Sequence, residues 1–120
     1  MTGDTHEGQY TKDGRRTAYL PLTFAWLYAS FLVPRARDLG YSLCIHGSMS
    51  RDLDLVAVPW TDDAVGADEL ARSLAEEAGG AITDPAVDRP HGRRAWVIHL
   101  GSGPYIDLSV MPTRVVELSE

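Results

Sequence analysis

The chain has 120 residues, 44% of them hydrophobic and 23% charged, which is the composition of one ordinary globular domain. A net charge of −6 argues against a dedicated DNA-binding protein, which carries basic excess, but leaves room for a nucleotide held through a divalent cation. The one cysteine, Cys44, excludes an intrachain disulfide and reads as a small buried hydrophobe in the run Ser42-Leu43-Cys44-Ile45.

Residues 1–16 hold Gly3, Gly8 and Gly14 and almost no aliphatic side chain, the pattern of a flexible N-terminal arm; residues 17–120 read as a single domain. The start has no apolar stretch of the secretory kind, and Phe24 to Val33 is too short to span a bilayer, so a cytoplasmic protein is expected.

A helix is predicted from about Leu22 to Asp38, with Leu20, Phe24, Leu27 and Phe31 on its buried face. Pro34 should kink it, and Gly40 should end it, with Arg35 and Arg37 near its negative end. A strand is predicted at Tyr41 to His46 and another from Asp52 to Val58, stopped by Pro59. The segment between them is too short for a parallel crossover, so these strands must be antiparallel if they pair.

Ala67 to Ala78 reads as the second helix, with Asp68 and Glu69 in its first turn and Gly79-Gly80 as its stop. A short strand is expected near Ala81 to Thr83, and a loop from Asp84 to Gly92, where Pro85, Pro90 and Gly92 cluster. Arg94 to Leu100 and Pro104 to Met111 form a predicted hairpin around Gly101-Ser102-Gly103. In its second arm Ile106, Leu108 and Val110 face one way, and Tyr105, Asp107 and Ser109 the other. The fold class is therefore α/β of the α+β kind: two main helices on a small mixed, largely antiparallel sheet.

The segment His46-Gly47-Ser48-Met49-Ser50-Arg51-Asp52-Leu53-Asp54-Leu55-Val56 is the sharpest chemical signal. Residues i and i+2 of a strand share a side, so Asp52 and Asp54 can bracket one divalent ion, or two about 3.5 to 4 Å apart. Taken alone, the pair is better explained by a surface turn with Arg51 as its counter-charge than by a metal site. Asp107 is an acid inside the apolar strand Tyr105-Ile106-Asp107-Leu108-Ser109-Val110; it either joins the pair or sits on an exposed face.

Gly-Ser, an Asp-x-Asp on a strand and a third Asp on a later strand resemble the DNA polymerase beta-type nucleotidyltransferase superfamily. The likeness runs by element order over residues 22–111, and its specific motif spans Gly47 to Val56. The resemblance implies a metal-dependent transfer of a nucleoside monophosphate from an NTP to a hydroxyl acceptor. It implies that Gly47 and Ser48 hold phosphate, that Asp52 and Asp54 ligate Mg²⁺ or Mn²⁺, and that Asp107 is the third carboxylate, as metal ligand or general base. The family places a longer segment between Gly-Ser and the first acid; here only Met49, Ser50 and Arg51 intervene, and the Arg51 guanidinium is the natural compensation. That departure also admits a catalytically inactive nucleotide-binding or protein-interaction domain of the same fold. A chain this small has no separate acceptor-binding domain, so a partner chain or a homo-oligomer is implied.

His46 adjoins Gly47 and carries more weight than His99. His91, Arg93 and Arg94 form a basic group beside a loop, read as solvated or as a contact to substrate phosphate; Trp26 and Trp96 are expected to pack in the core or at sheet edges, and Trp60, after Pro59 at a strand end, is the exception to watch.

Overall fold

A computed structural model of the chain describes residues 19–101 and 103–113; the expected N-terminal arm lies outside them. The first helix runs as α1 (Tyr19–Leu27), a π-helical turn (Tyr28–Leu32) and α2 (Val33–Asp38). The π turn answers the problem set by Pro34. A proline ring clashes with the carbonyl four residues before it and offers that carbonyl no N–H. The Val33 N–H bonds instead to the Tyr28 carbonyl, five residues back, which widens the turn just ahead of the proline. The same extra residue rotates the following side chains. Phe24 is buried as expected, but Leu32 takes the core position assigned to Phe31, and Phe31 is 38% exposed.

Five strands follow the helix: β1 (Tyr41–His46), β2 (Leu53–Pro59), β3 (Val87–Arg89), β4 (Arg93–His99) and β5 (Tyr105–Val110). Their order in the sheet is β1-β2-β5-β4-β3, with β2 and β5 parallel and every other pair antiparallel. Helix α3 (Ala67–Ala78) lies between β2 and β3 in the chain. It buries Leu70, Ala71, Leu74 and Ala75 on one side, keeps Asp68 and Glu69 in its first turn, and closes at Gly79 in the left-handed region. There the Gly80 N–H bonds to the Ala75 carbonyl and the Gly79 N–H to the Glu76 carbonyl, the paired bonds of a Schellman close.

Two expectations about the middle of the chain are corrected. The strand near Ala81 is a single bridge between Ala81 and His99. The loop from Asp84 to Gly92 contains β3, which pairs with β4, and a 3-10 turn at Pro90–Gly92. β3 is exposed throughout, so it lacks the apolar alternation that marks a half-buried strand.

Alternation decides the two faces of the sheet. Leu43 of β1, Leu53, Leu55 and Ala57 of β2, Ile98 of β4, and Ile106, Leu108 and Val110 of β5 all point to one side. They meet Phe24, Leu32, Ala36, Leu70 and Leu74 from the helices in one core. Trp96 joins this core, whereas Trp60 is exposed and so is Trp26, against the expectation that Trp26 packs. Cys44 also departs from expectation: it alternates with Leu43 and Ile45 and is exposed on the opposite face. Among the described residues no helix is long and apolar enough to cross a membrane.

Candidate functional site

The face of the sheet turned away from the helices carries the residues that the core rejects. Register across β1, β2, β5 and β4 sets them in rows. His46 is opposite Asp54, Asp54 is opposite Asp107, and Asp107 is opposite Val97. Asp54 and Asp107 thus lie side by side on neighbouring parallel strands about 4.8 Å apart. One step toward the chain starts of β2 and β5 lie Asp52 and Tyr105, and Tyr105 is opposite His99 on β4. The rings of His99 and Tyr105 are 6.4 Å apart. Acids, histidines and a phenol therefore gather at one end of this face, and away from that end it continues through Val56 to Ser109 and Ala95, which are buried.

The electrostatics follow from this crowding. Asp54 is held above the usual carboxylate range, first by partial burial, then by the negative charge of Asp107, with a smaller push from Asp52 and an opposing pull from His46. The Tyr105 phenol is raised as well, chiefly by the charge of Asp52, with burial, hydrogen bonding to Asp52 and the charges of Asp107 and Asp54 adding to it. Among the described residues no Lys or Arg forms an ion pair with Asp52, Asp54 or Asp107. Three carboxylates at one end of a sheet repel one another, and among the described residues only His46 beside Asp54 offsets them.

The turn from β1 to β2 stands over this end. Gly47 has φ +78°, and a Cβ built there would lie 2.7 Å from Asp54 Oδ2. The left-handed backbone favours glycine here, and a side chain would also displace the Asp54 carboxylate. Met49 follows with φ +61°, in the left-handed region that side chains rarely adopt, and its side chain packs against the core. The Ser48 hydroxyl donates to the Ser50 hydroxyl at 2.9 Å and accepts from the Ser50 N–H at 3.3 Å, so Ser48 is first a turn-former. Arg51 is exposed.

Register sets Asp54 beside Asp107, Asp52 lies just before β2 at the same end, and Gly47 adjoins Asp54. His46 belongs to the same cluster. Its signal was its position as the last residue of β1, two strands from Asp107, which only the pairing register converts into proximity to Asp54. Tyr105 was read merely as facing the same way as Asp107; its approach to Asp52 could be anticipated from nothing but the β2-β5 register. Arg93 and Arg94 go elsewhere. Arg93 donates to the Pro90 carbonyl and the Ser109 hydroxyl, while Arg94 lies 5.6 Å from the Trp96 ring centre and pairs loosely with Asp68 and Asp88.

Among the described residues no three His, Cys, Asp or Glu side chains form a ready-made metal cage. The donor chemistry still suits a hard cation. Mg²⁺ demands oxygen ligands, keeps several waters, and is bound by one or two carboxylates together with substrate phosphate more often than by a full protein cage. Two in-register carboxylates, with a third at the mouth and no described Lys or Arg ion-paired to them, fit that mode. Comparison with protein-family models, with characterised proteins and with solved structures returned no match.

Proposed function

We propose that this end of the open sheet face binds a nucleoside triphosphate with Mg²⁺ or Mn²⁺ and transfers its nucleoside monophosphate to a hydroxyl acceptor, releasing pyrophosphate. The observation that carries the reading is the pairing of Asp54 with Asp107 in register on parallel strands, beside Asp52 and under the Gly47-Ser48 turn. Asp52 and Asp54 would hold the cation, with Asp107 as the third carboxylate. When bound, the cation supplies the positive charge that offsets the carboxylates and draws in the phosphates.

The chain's own groups then have distinct tasks. Gly47, without a side chain, allows close approach to Asp54 from the turn side. The Ser48 hydroxyl and the turn's backbone N–H groups are the donors offered to phosphate oxygens. Arg51, exposed at the rim, can swing a forked cation toward the same oxygens. Asp107 lies beside Asp54, where a carboxylate can accept the proton of an attacking hydroxyl or share the cation. Tyr105 stands near Asp52, whose charge raises its phenol, and would flank that carboxylate. The acceptor would reach the site on a partner chain or as a free small molecule.

A second reading has its own support. With three residues between Ser48 and Asp52, and Ser48 engaged with Ser50, the turn offers few donors to a triphosphate. This favours a domain of the same design that binds nucleotide, or a protein, without turnover. Incubation with γ-labelled NTPs and Mn²⁺ separates the two. Pyrophosphate release that disappears in Asp54→Ala supports the enzyme; metal-dependent binding without release supports the inactive form; neither outcome rejects both.

A further inference from the structure

The helix that opens the described chain is apolar on every side. From Thr17 to Pro34 the sequence carries no charged residue. A helix of that kind is a buried helix. Its inner side is accounted for by Phe24 and Leu32 in the core. Its outer side is not: Leu22 is 76% exposed and Trp26 60%. These two lie one turn apart, on the side opposite Phe24. The π turn then brings Phe31 into line with them, and the Trp26 and Phe31 rings meet edge to face with centres 5.0 Å apart. At about 150–250 Å² for an aromatic side chain, the exposed part of this stripe is ~400 Å², within the range of the largest patch on a typical monomer.

We propose that Leu22, Trp26 and Phe31 form the core of a symmetric homodimer interface in which the helix packs against its own copy. A two-fold axis lays an uncharged stripe on an uncharged stripe, so no charge is desolvated, and the repulsion of two chains of −6 is left to the rest of the surface. A charged partner gains nothing from such a face. The exposed small residues Ala25, Ala29 and Ser30 flank the stripe and let the two helices approach closely. With these flanks both copies together bury about 1,000 Å², the lower limit of a specific interface, so a weak, concentration-dependent dimer is expected. The stripe is on the far side of the helix from the sheet, so pairing leaves the carboxylates open. The dimer does not depend on the nucleotide chemistry.

Sedimentation velocity on the full chain from about 5 to about 300 µM tests this. The mass should rise from 13.1 kDa toward twice that value. Trp26→Glu should stay monomeric throughout with an unchanged circular dichroism spectrum, and Leu22→Glu, an independent change at a site 76% exposed, should do the same. Trp60→Glu, at another exposed tryptophan, should associate like wild type. A wild-type chain monomeric at the highest concentration overturns the proposal. So does a dimer that survives both glutamate substitutions, or a monomer in which Trp26 is shielded from acrylamide by the chain's own termini.

Discussion

Replacing Asp107 by Asn should stabilise the protein in the absence of divalent metal. The side chain keeps its shape and loses its charge, and its neighbour in register is Asp54. Two unit charges about 4 Å apart interact by about 1 kcal/mol in water, and like charges facing one another across strands cost about 0.2–1 kcal/mol. The sheet face here is open, so the watery end of the scale applies and salt weakens the effect further. A gain of about 0.5–1 kcal/mol corresponds to about 2–6 °C in melting temperature for a domain of this size. The pH dependence has a definite sign. Asp54 is raised in the folded state, by burial first and Asp107 next, above its ordinary value of 3.8. Its stabilising contribution is therefore complete below that value and is lost as pH rises through the raised one. The advantage of Asp107→Asn should be largest near neutral pH and should shrink as Asp54 protonates. Adding about 10 mM Mg²⁺ should reverse the ranking, because a millimolar site gives wild type about 1.4 kcal/mol that the variant lacks. Thermal melts in chelator and in Mg²⁺ at several pH values read all of this. If Asp107→Asn melts at or below wild type in chelator at neutral pH, the two carboxylates do not face each other as described.

Gly47→Ala should lose about 1–2 kcal/mol, since the left-handed φ disfavours a side chain and the new Cβ would press on Asp54 Oδ2; thermal melting measures it, and metal-dependent nucleotide binding should fall with it. Leu74→Ala, in the buried face of α3, should cost about 2–5 kcal/mol in urea unfolding with an unchanged slope. Tyr41→Phe removes a hydroxyl that donates to the Val65 carbonyl at 2.6 Å, and about 1 kcal/mol of stability should go with it in the same assay.

Much of the fold was legible in local pattern. β1 and α3 run between the predicted residues because Gly40, Gly79 and the turn at Gly47 punctuate them, and the alternation in β5 assigns Asp107 to the face opposite Leu108. What escaped depends on distant context. Phe31 fits a regular helical stripe in sequence, and only the π turn demanded by Pro34 turns it outward in favour of Leu32. β3 has no hydrophobic pattern because its stability comes from hydrogen bonding to β4. Cys44 sits in an apolar run, yet strand alternation outranks composition and exposes it. At the site, Asp52 and Asp54 were readable from their spacing, but their relation to His46, Tyr105 and Asp107 is a product of register, which no single segment contains.

The account rests on the carboxylates acting together on a divalent cation and a nucleotide, and titration calorimetry tests that most directly. Wild-type protein should bind ATP, or another NTP, in Mg²⁺ or Mn²⁺ and not in chelator, and both Asp54→Ala and Asp107→Ala should abolish the heat while remaining folded. No metal-dependent binding of any NTP, or binding that survives both substitutions, would contradict it.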